Sequence, residues 1–292
     1  MPSAFASRFG TKGREVYAVR EIDPFTTVLD EEPIAYVRLE DTGDFPQMEL
    51  ARMLFRAFDV DKYEHTPVCS MPKCDESAIE DYYDAVCRNA YTMNDFIMYR
   101  KERLGFYQDL SLFNHSCDAN CVLVFDETRA KVITIRKVHP GEELCTNYHL
   151  LASVGIPKGI RQSTLEREFD FQCLCNACLE ETVENESERE RSLFQTIEQS
   201  KNPMPLIRHI WKKEKSVSYS LKSFMCIHYV RTHLSRTDKA KKEEVALIGD
   251  MLQSMGNYNE GSYLEFYVSF LLSFVCGQVT SGHVDLLSLI HI

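Results

Sequence analysis

The chain is short of positive charge. Its 44 acidic residues outnumber 33 lysines and arginines, leaving a net charge of −11, whereas general nucleic-acid binding wants a basic face. An acidic surface raises encounter with Lys- and Arg-rich peptides, or does no more than keep the chain soluble. A membrane span is missing too. The most apolar run, Tyr263 to Val279, contains Glu265 and falls short of the ~20 apolar residues a bilayer requires. It reads as a buried helix. The start, Met1-Pro-Ser-Ala-Phe-Ala-Ser-Arg8, lacks the basic and apolar regions of a secretory signal. No Walker loop, no G-x-G-x-x-G after a strand and no G-x-S-x-G elbow occurs, which counts against nucleotide-fold and serine-hydrolase chemistry. These absences predict a soluble intracellular protein, with no membrane and no direct nucleic-acid partner; its expected location is cytoplasm and nucleus.

What is present is ordinary in bulk. With 292 residues, 44% hydrophobic and 26% charged, the chain can bury one large core and a smaller one. Cysteine is the exception. There are 11 cysteines, an odd number without a secretory signal, so clusters are read as metal ligands before disulfides. Cys173-x-Cys175-x2-Cys178 fits neither a helix face nor a strand face. Three thiolates from one loop suit a tetrahedral zinc site that takes its fourth ligand from elsewhere. Spacing leaves that ligand open among Cys117, Cys121, Cys145 and the rest. His65, Cys69, Cys74 and Cys87 match no tight metal knuckle, and Pro67 and Pro72 stiffen their loop. They read as ordinary thiols and a surface histidine, with Cys226 and Cys276 as core residues.

Along the chain, residues 8–40 read as short strands around the turn Gly10-Thr-Lys-Gly13 and a break at Asp23-Pro24. Leu50, Met53, Leu54 and Phe58 recur at helical spacing, and residues 46–108 read as mostly helical, interrupted at Val86 to Met93 by a short strand near Tyr91-Thr92. Val122 to Phe125 and Lys131 to Arg136 predict a hairpin, and His139-Pro140-Gly141 a turn. Glu180 to Arg191 is a charged linker or exposed helix start. Beyond it the chain reads as all-helical, with apolar faces at 206–211, 221–234, 245–255 and 263–279. It stops inside an apolar stretch, Leu286 to Ile292, without a helix stop signal, an end expected to be shortened.

The stretch that organises the rest is Ser111-Leu-Phe-Asn114-His115-Ser116-Cys117-Asp-Ala-Asn-Cys121. It sets an amide, an imidazole, a hydroxyl and a thiol on four consecutive residues after an apolar triplet. A second polar cluster follows at Gly141-Glu-Glu-Leu-Cys-Thr-Asn147-Tyr148. Taken alone, His115 reads as a structural histidine, and His115 with Ser116 lacks the third member of a nucleophilic triad.

The order Asn-His-Ser-Cys, then Gly-Glu-Glu-Leu with Tyr148 four residues on, then Cys-x-Cys-x2-Cys resembles a SET-domain lysine methyltransferase. The flanks Arg88-Asn89-Ala-Tyr91-Thr92, Gly105 to Leu112 and Phe169-Asp-Phe171-Gln-Cys173 resemble its SET and MYND (SMYD-like) branch, over about residues 8–180. The resemblance implies a pseudoknot in which the Asn-His segment threads beneath the loop carrying the tyrosine. It implies an S-adenosylmethionine pocket at Lys12, Arg14, Asn89, Ser111, Asn114, His115, Tyr148, Phe169 and Phe171. It makes Cys117 the fourth zinc ligand beside Cys173, Cys175 and Cys178, and Tyr148 the catalytic residue that orients the lysine amine. The partner it implies is a protein or histone peptide substrate, met by a monomer.

Two departures stand out. The family's Gly-x-Gly turn is here Gly13-Arg14-Glu15, so a glutamate stands where backbone approaches the cofactor. The branch's two-zinc MYND finger finds only Cys69 and Cys74 between Val37 and Cys87, so it is expected to be absent.

The predicted fold is α+β: a β-rich SET fold with a helical insertion, a zinc-binding post-SET loop and an all-helical C-terminal domain. Its parts are 1–45, the N-terminal SET core; 46–108, the insertion with a short SET strand; 109–165, the C-terminal SET core; 166–180, the post-SET zinc loop; and 181–292, the helical domain. The predicted function is protein-lysine N-methylation from S-adenosylmethionine. The competing expectations are a catalytically weak SET-like scaffold held by zinc, and a zinc protein whose helical tail binds peptides.

Overall fold

The structure is a computed structural model and describes residues 4–10, 13–57, 79–94, 101–148, 158–180, 188–200, 202–213 and 225. Lys12, His65, Cys69, Cys74, most of the linker, Cys226, Cys276 and the C-terminal apolar stretches lie outside the described residues, apart from the buried Met225. Two compact units emerge. One comprises Met1–His115 and Asn120–Thr146; the other comprises Ser116–Ala119 and Asn147–Ile292.

The first unit is built from small sheets. Strands β1 (Phe5–Gly10) and β2 (Gly13–Ala18) pair antiparallel, with Arg8 opposite Glu15 and Gly10 opposite Gly13. Gly13 has φ of 93°, a left-handed conformation that glycine adopts without a Cβ clash, so the turn falls there. The strand β3 (Thr27–Glu31) lies beside the hairpin of β8 (Cys121–Asp126) and β9 (Arg129–Thr134), in the order β3-β9-β8. The expected hairpin is thus present, with Asp126 opposite Arg129 at its tip. In a third sheet, β6 (Lys101–Phe106) runs between β4 (Ala35–Arg38) and β5 (Tyr91–Asn94).

Two helices cover that sheet. The helix α1 (Pro46–Ala57) opens on a proline, which suits the first helical position because its missing N–H has no partner there. It buries Leu50, Ala51 and Leu54, one stripe of a 3.6-residue period. The helix α2 (Ile79–Asn89) buries Tyr82, Ala85 and Val86 at the same spacing. Both stripes join Ala35, Val37, Leu104 and Phe106 in one core cluster. Removing Leu54 to Ala would cost about 2–5 kcal/mol.

Within the insertion, residues 101–106 form a strand where the sequence suggests helix. Lys-Glu-Arg-Leu-Gly-Phe carries three charged residues and little β propensity, yet it forms the middle strand because pairing on both sides decides the matter. A second core gathers Val16, Ala18, Leu29, Tyr107, Phe113, Val132 and Leu144 beneath the other sheets.

In the second unit, α3 (Lys158–Phe169) precedes a short helix, α4 (Asn176–Glu180), within the cysteine loop. The helices α5 (Glu188–Gln199) and α6 (Met204–Lys213) follow, burying Phe194, Ile197, Met204, Ile207 and Ile210. Sequence periodicity anticipates α6; it does not anticipate α3, whose polar composition hides a stripe of only Arg161 and Leu165. Among the described residues no helix is long and apolar enough to cross a membrane.

Candidate active site and metal centre

The Asn-His motif forms a two-residue strand, β7 (Asn114–His115), which pairs in parallel with β10 (Cys145–Thr146). Asn114 sits opposite Cys145, and His115 opposite Thr146. The segment leading into β10 is also tied to β2. Ala18 N donates to Glu142 O at 2.9 Å and Leu144 N donates to Val16 O at 2.8 Å. Residues far apart in sequence, β2, β7 and 142–146, thus lie side by side. Two residues after Thr146 comes Tyr148.

Side chains lock this arrangement. Asn114 Nδ2 donates to the Arg14 carbonyl at 2.8 Å and to Glu143 Oε1 at 2.9 Å. His115 is buried, 4% exposed. Asn120, 3% exposed, donates to Glu142 Oε1 and to Glu143 O, and its Oδ1 accepts from Cys145 N at 2.9 Å. Burial alone would raise the Glu142 carboxyl, but the His139 N–H, Arg136 and Asn120 outweigh it and hold the group below its ordinary value.

The approach to Asn114 rests on a half-buried carboxylate. Glu31, at the end of β3, accepts from the backbone N–H groups of Gln108 and Asp109 through Oε1 and of Leu110 through Oε2, at 2.7, 3.0 and 2.9 Å. These are amides at the start of the 3-10 turn Leu110–Leu112, which the turn itself leaves unpaired. Burial pushes the Glu31 carboxyl up; the three amides pull it back in part. Ser111 lies in the turn and spends its hydroxyl hydrogen on Gln108 O at 2.7 Å. Asn89, at the end of α2, donates back to Ala85 O at 2.9 Å.

Glu15 is the unexpected neighbour. It is 8% exposed and forms an ion pair with Arg8 across the β1–β2 ladder. Its carboxylate lies over Gly10, where a Cβ on that glycine would fall, so a side chain at residue 10 would make the Glu15 carboxylate shift. Arg14 turns its guanidinium toward the exposed ring of Phe9, 5.7 Å from the centroid.

The second unit holds the cysteines. The Sγ atoms of Cys117, Cys173, Cys175 and Cys178 all lie within 4.8 Å of one another. Cys117 Sγ is 3.9 Å from that of Cys173 and 3.5 Å from that of Cys178. Zn–S bonds of about 2.3 Å in a tetrahedron put sulfurs about 3.8 Å apart, so this donor set fits zinc. Spacing alone left the fourth ligand open; the fold brings Cys117 to the other three, while Cys121 and Cys145 belong to the first unit. Hydrogen bonds from Cys117, Cys173 and Cys178 push the Cys175 thiol far down. Cys178 is lowered to about 6, by Cys117 first, then by Cys173 and Arg161. Cys117 and Cys173 move the other way, both raised within the same hydrogen-bonded set.

The predicted aromatic residues gather beside it. The Tyr148 ring lies 5.2 Å from Phe169 and 6.3 Å from Phe171, the latter edge-on at 87°. Tyr148 and Phe171 pack on the core of Cys117, Leu165, Cys173 and Cys178. Between the phenylalanines, Asp170 ends α3 in the left-handed region, φ 57°, and its N–H bonds to Glu166 O.

Of the residues singled out from sequence, the fold brings together Arg14, Asn114 and His115 in one unit and Tyr148, Phe169, Phe171 and the four cysteines in the other. Ser111 and Asn89 are engaged by their own turns. Sequence reading passed over Glu31, Asn120, Glu143 and Arg161. Glu31 stands in an Asp-Glu-Glu run that reads as solvated surface, and nothing marks the half-buried member.

Comparison with known proteins agrees with this geometry. Residues 13–149 match the SET domain family. N-lysine methyltransferase SMYD2-B of Xenopus laevis is 32% identical over 107 residues, 36% of this chain and 24% of that protein. SET domain and MYND-type zinc finger protein 6 of Schizosaccharomyces pombe is 32% identical over 94 residues, 32% of this chain and 19% of that protein. N-lysine methyltransferase SMYD2 of Mus musculus is 28% identical over 170 residues, 58% of this chain and 34% of that protein. The matched part spans about a third of the curated relatives' own length or less. The strand pairing, the Asn-His motif and these likenesses agree: residues 13–149 are similar to a SET domain, α+β in class, and to those of the SMYD proteins.

Proposed function

We propose that this protein is a protein-lysine N-methyltransferase that takes its methyl group from S-adenosylmethionine. The observation that carries the reading is the parallel pairing of Asn114-His115 with Cys145-Thr146. It sets the segment expected to hold the cofactor alongside the strand that runs into Tyr148. Arg14, Asn114 and His115 would hold the cofactor, and the family resemblance gives Phe169 and Phe171 the same role. An aromatic cluster suits the sulfonium cation and a stacked adenine. When bound, the cofactor supplies an electrophilic methyl group.

The chain's own contribution is to present the amine. A free lysine has a pKa near 10.4, so it must lose its proton before attack. An apolar, aromatic surround disfavours the ammonium form by desolvation. The Tyr148 hydroxyl oxygen then accepts a hydrogen bond from an amine N–H, which leaves the lone pair free and oriented, and geometry supplies much of the rate. Zinc at the four cysteines would brace the loop that carries Phe171. The substrate is a protein lysine, histone or non-histone, met in cytoplasm or nucleus by a monomer, and the acidic chain suits a basic peptide.

A second reading, a weakly active scaffold, is favoured by Glu15, which fills space beside Gly10. Calorimetry with S-adenosylmethionine separates the two. The enzyme reading expects saturable one-to-one binding that Asn114→Ala weakens at least tenfold; absence of binding favours the scaffold. If Arg8 neutralises Glu15, Glu15→Gly leaves the affinity within about threefold, whereas a scaffold regains binding.

A further inference from the structure

The largest fully buried side chain among the described residues is charged: Arg161, 1% exposed. It stands on α3 one turn before Leu165, which belongs to the apolar cluster around Cys117, Cys173 and Cys178. Its Nη2 donates toward Cys178 Sγ at 3.5 Å. The next residue, Gln162, clamps the backbone of Cys173: Nε2 donates to Cys173 O at 2.7 Å and Oε1 accepts from Cys173 N at 2.9 Å. Adjacent positions of one helix therefore reach two of the four thiol-bearing residues, one through charge and one through amide geometry.

The charge has a reason. A guanidinium removed from water is costly unless an anion compensates it. Four protonated thiols carry no charge. Four thiolates around a divalent zinc carry a net charge of about −2, assembled from ligands that must be deprotonated to bind. A buried cation beside them offsets part of that charge, and the dianion in turn makes the buried cation tolerable.

We infer that Arg161 is the counter-ion of the zinc tetrathiolate, a positioning residue that sets metal affinity by its charge without ligating the ion. Gln162 is its geometric companion, holding the Cys173 backbone so that the sulfur faces the other three. The inference rests on the zinc assignment above and is independent of the methyl-transfer reading.

The test is zinc affinity of the full chain, measured by competition with a chromophoric chelator, with cobalt(II) substitution to report the tetrathiolate by its absorption bands. Arg161→Gln should weaken zinc about 10–100-fold, the range seen when partners of metal ligands are removed. Arg161→Lys, which keeps the charge, should stay within about threefold of the unaltered protein, with the cobalt bands unchanged. Should Arg161→Gln not fold, Arg161→Lys decides alone. A loss of tenfold or more in Arg161→Lys assigns the residue to shape and overturns the inference, as does an Arg161→Gln protein that binds zinc normally. An unaltered protein that takes up neither metal overturns the zinc assignment and this inference together.

Discussion

Asn114 and Glu143 are joined by a 2.9 Å hydrogen bond from amide to carboxylate, across 29 residues of sequence. The bond fixes which face of the amide remains for a ligand, because the same nitrogen also serves Arg14 O. Glu143→Ala should therefore loosen the Asn-His segment without removing a cofactor contact. A hydrogen bond to a charged group is worth about 1.5–3 kcal/mol. The expected outcome is a stability loss of that size in urea titration, with weaker binding of S-adenosylmethionine by calorimetry.

Glu31 makes a sharper case. Its carboxylate serves three backbone amides of the turn that leads into Asn114. Glu31→Ala strands donors that are otherwise satisfied, and each buried orphan costs about 1–3 kcal/mol. Denaturant unfolding should show a loss of about 3 kcal/mol or more. Glu31→Gln, which keeps one acceptor oxygen, should lose less.

The pH dependence follows from Glu142. Its folded value lies below the ordinary carboxylate value, despite burial, because the His139 N–H, Arg136 and Asn120 favour the charged form. The unfolded chain then binds the proton more readily than the folded one. The stabilisation is complete above the ordinary carboxylate value and is lost as pH falls through the depressed folded value. Glu142→Gln should flatten the acid limb of the stability curve, measured as melting temperature between about pH 3 and 6.

Much of this was legible in the residues, and the misses have physical causes. The hairpin of β8 and β9 shows itself by alternation around a polar turn. The helices α1 and α2 show themselves by apolar stripes at 3.6-residue spacing. The strand β6 does not, because Lys101, Glu102 and Arg103 carry no strand signal and the pairing partners impose it. The metal ligands divide in the same way. Cys173, Cys175 and Cys178 announce themselves by spacing, whereas Cys117 needed either the family resemblance or the fold. Arg161 was invisible, since an arginine in a polar helix reads as surface until burial is known.

Zinc should be measurable directly. Chelation is expected to release about one zinc per chain and to lower the melting temperature, because binding energy at a thiolate site is folding energy. The aromatic contacts of Tyr148 and Phe171 rest on the same core as the cysteines, so near-ultraviolet circular dichroism should weaken on metal removal. An unchanged spectrum and melting point in metal-free protein would remove zinc from the account.

Tyr148 carries the chemistry in this account, and its ring sits against Phe169 and Phe171. The most direct measurement is transfer of labelled methyl from S-adenosylmethionine to proteins of nuclear and cytosolic extracts, comparing the unaltered protein with Tyr148→Phe. The account predicts label on lysine with the unaltered protein. With Tyr148→Phe it predicts a loss of at least 100-fold, about 2.7 kcal/mol of barrier, while cofactor affinity changes little. Equal transfer by the two proteins, or no transfer by the unaltered protein despite bound cofactor, would contradict it.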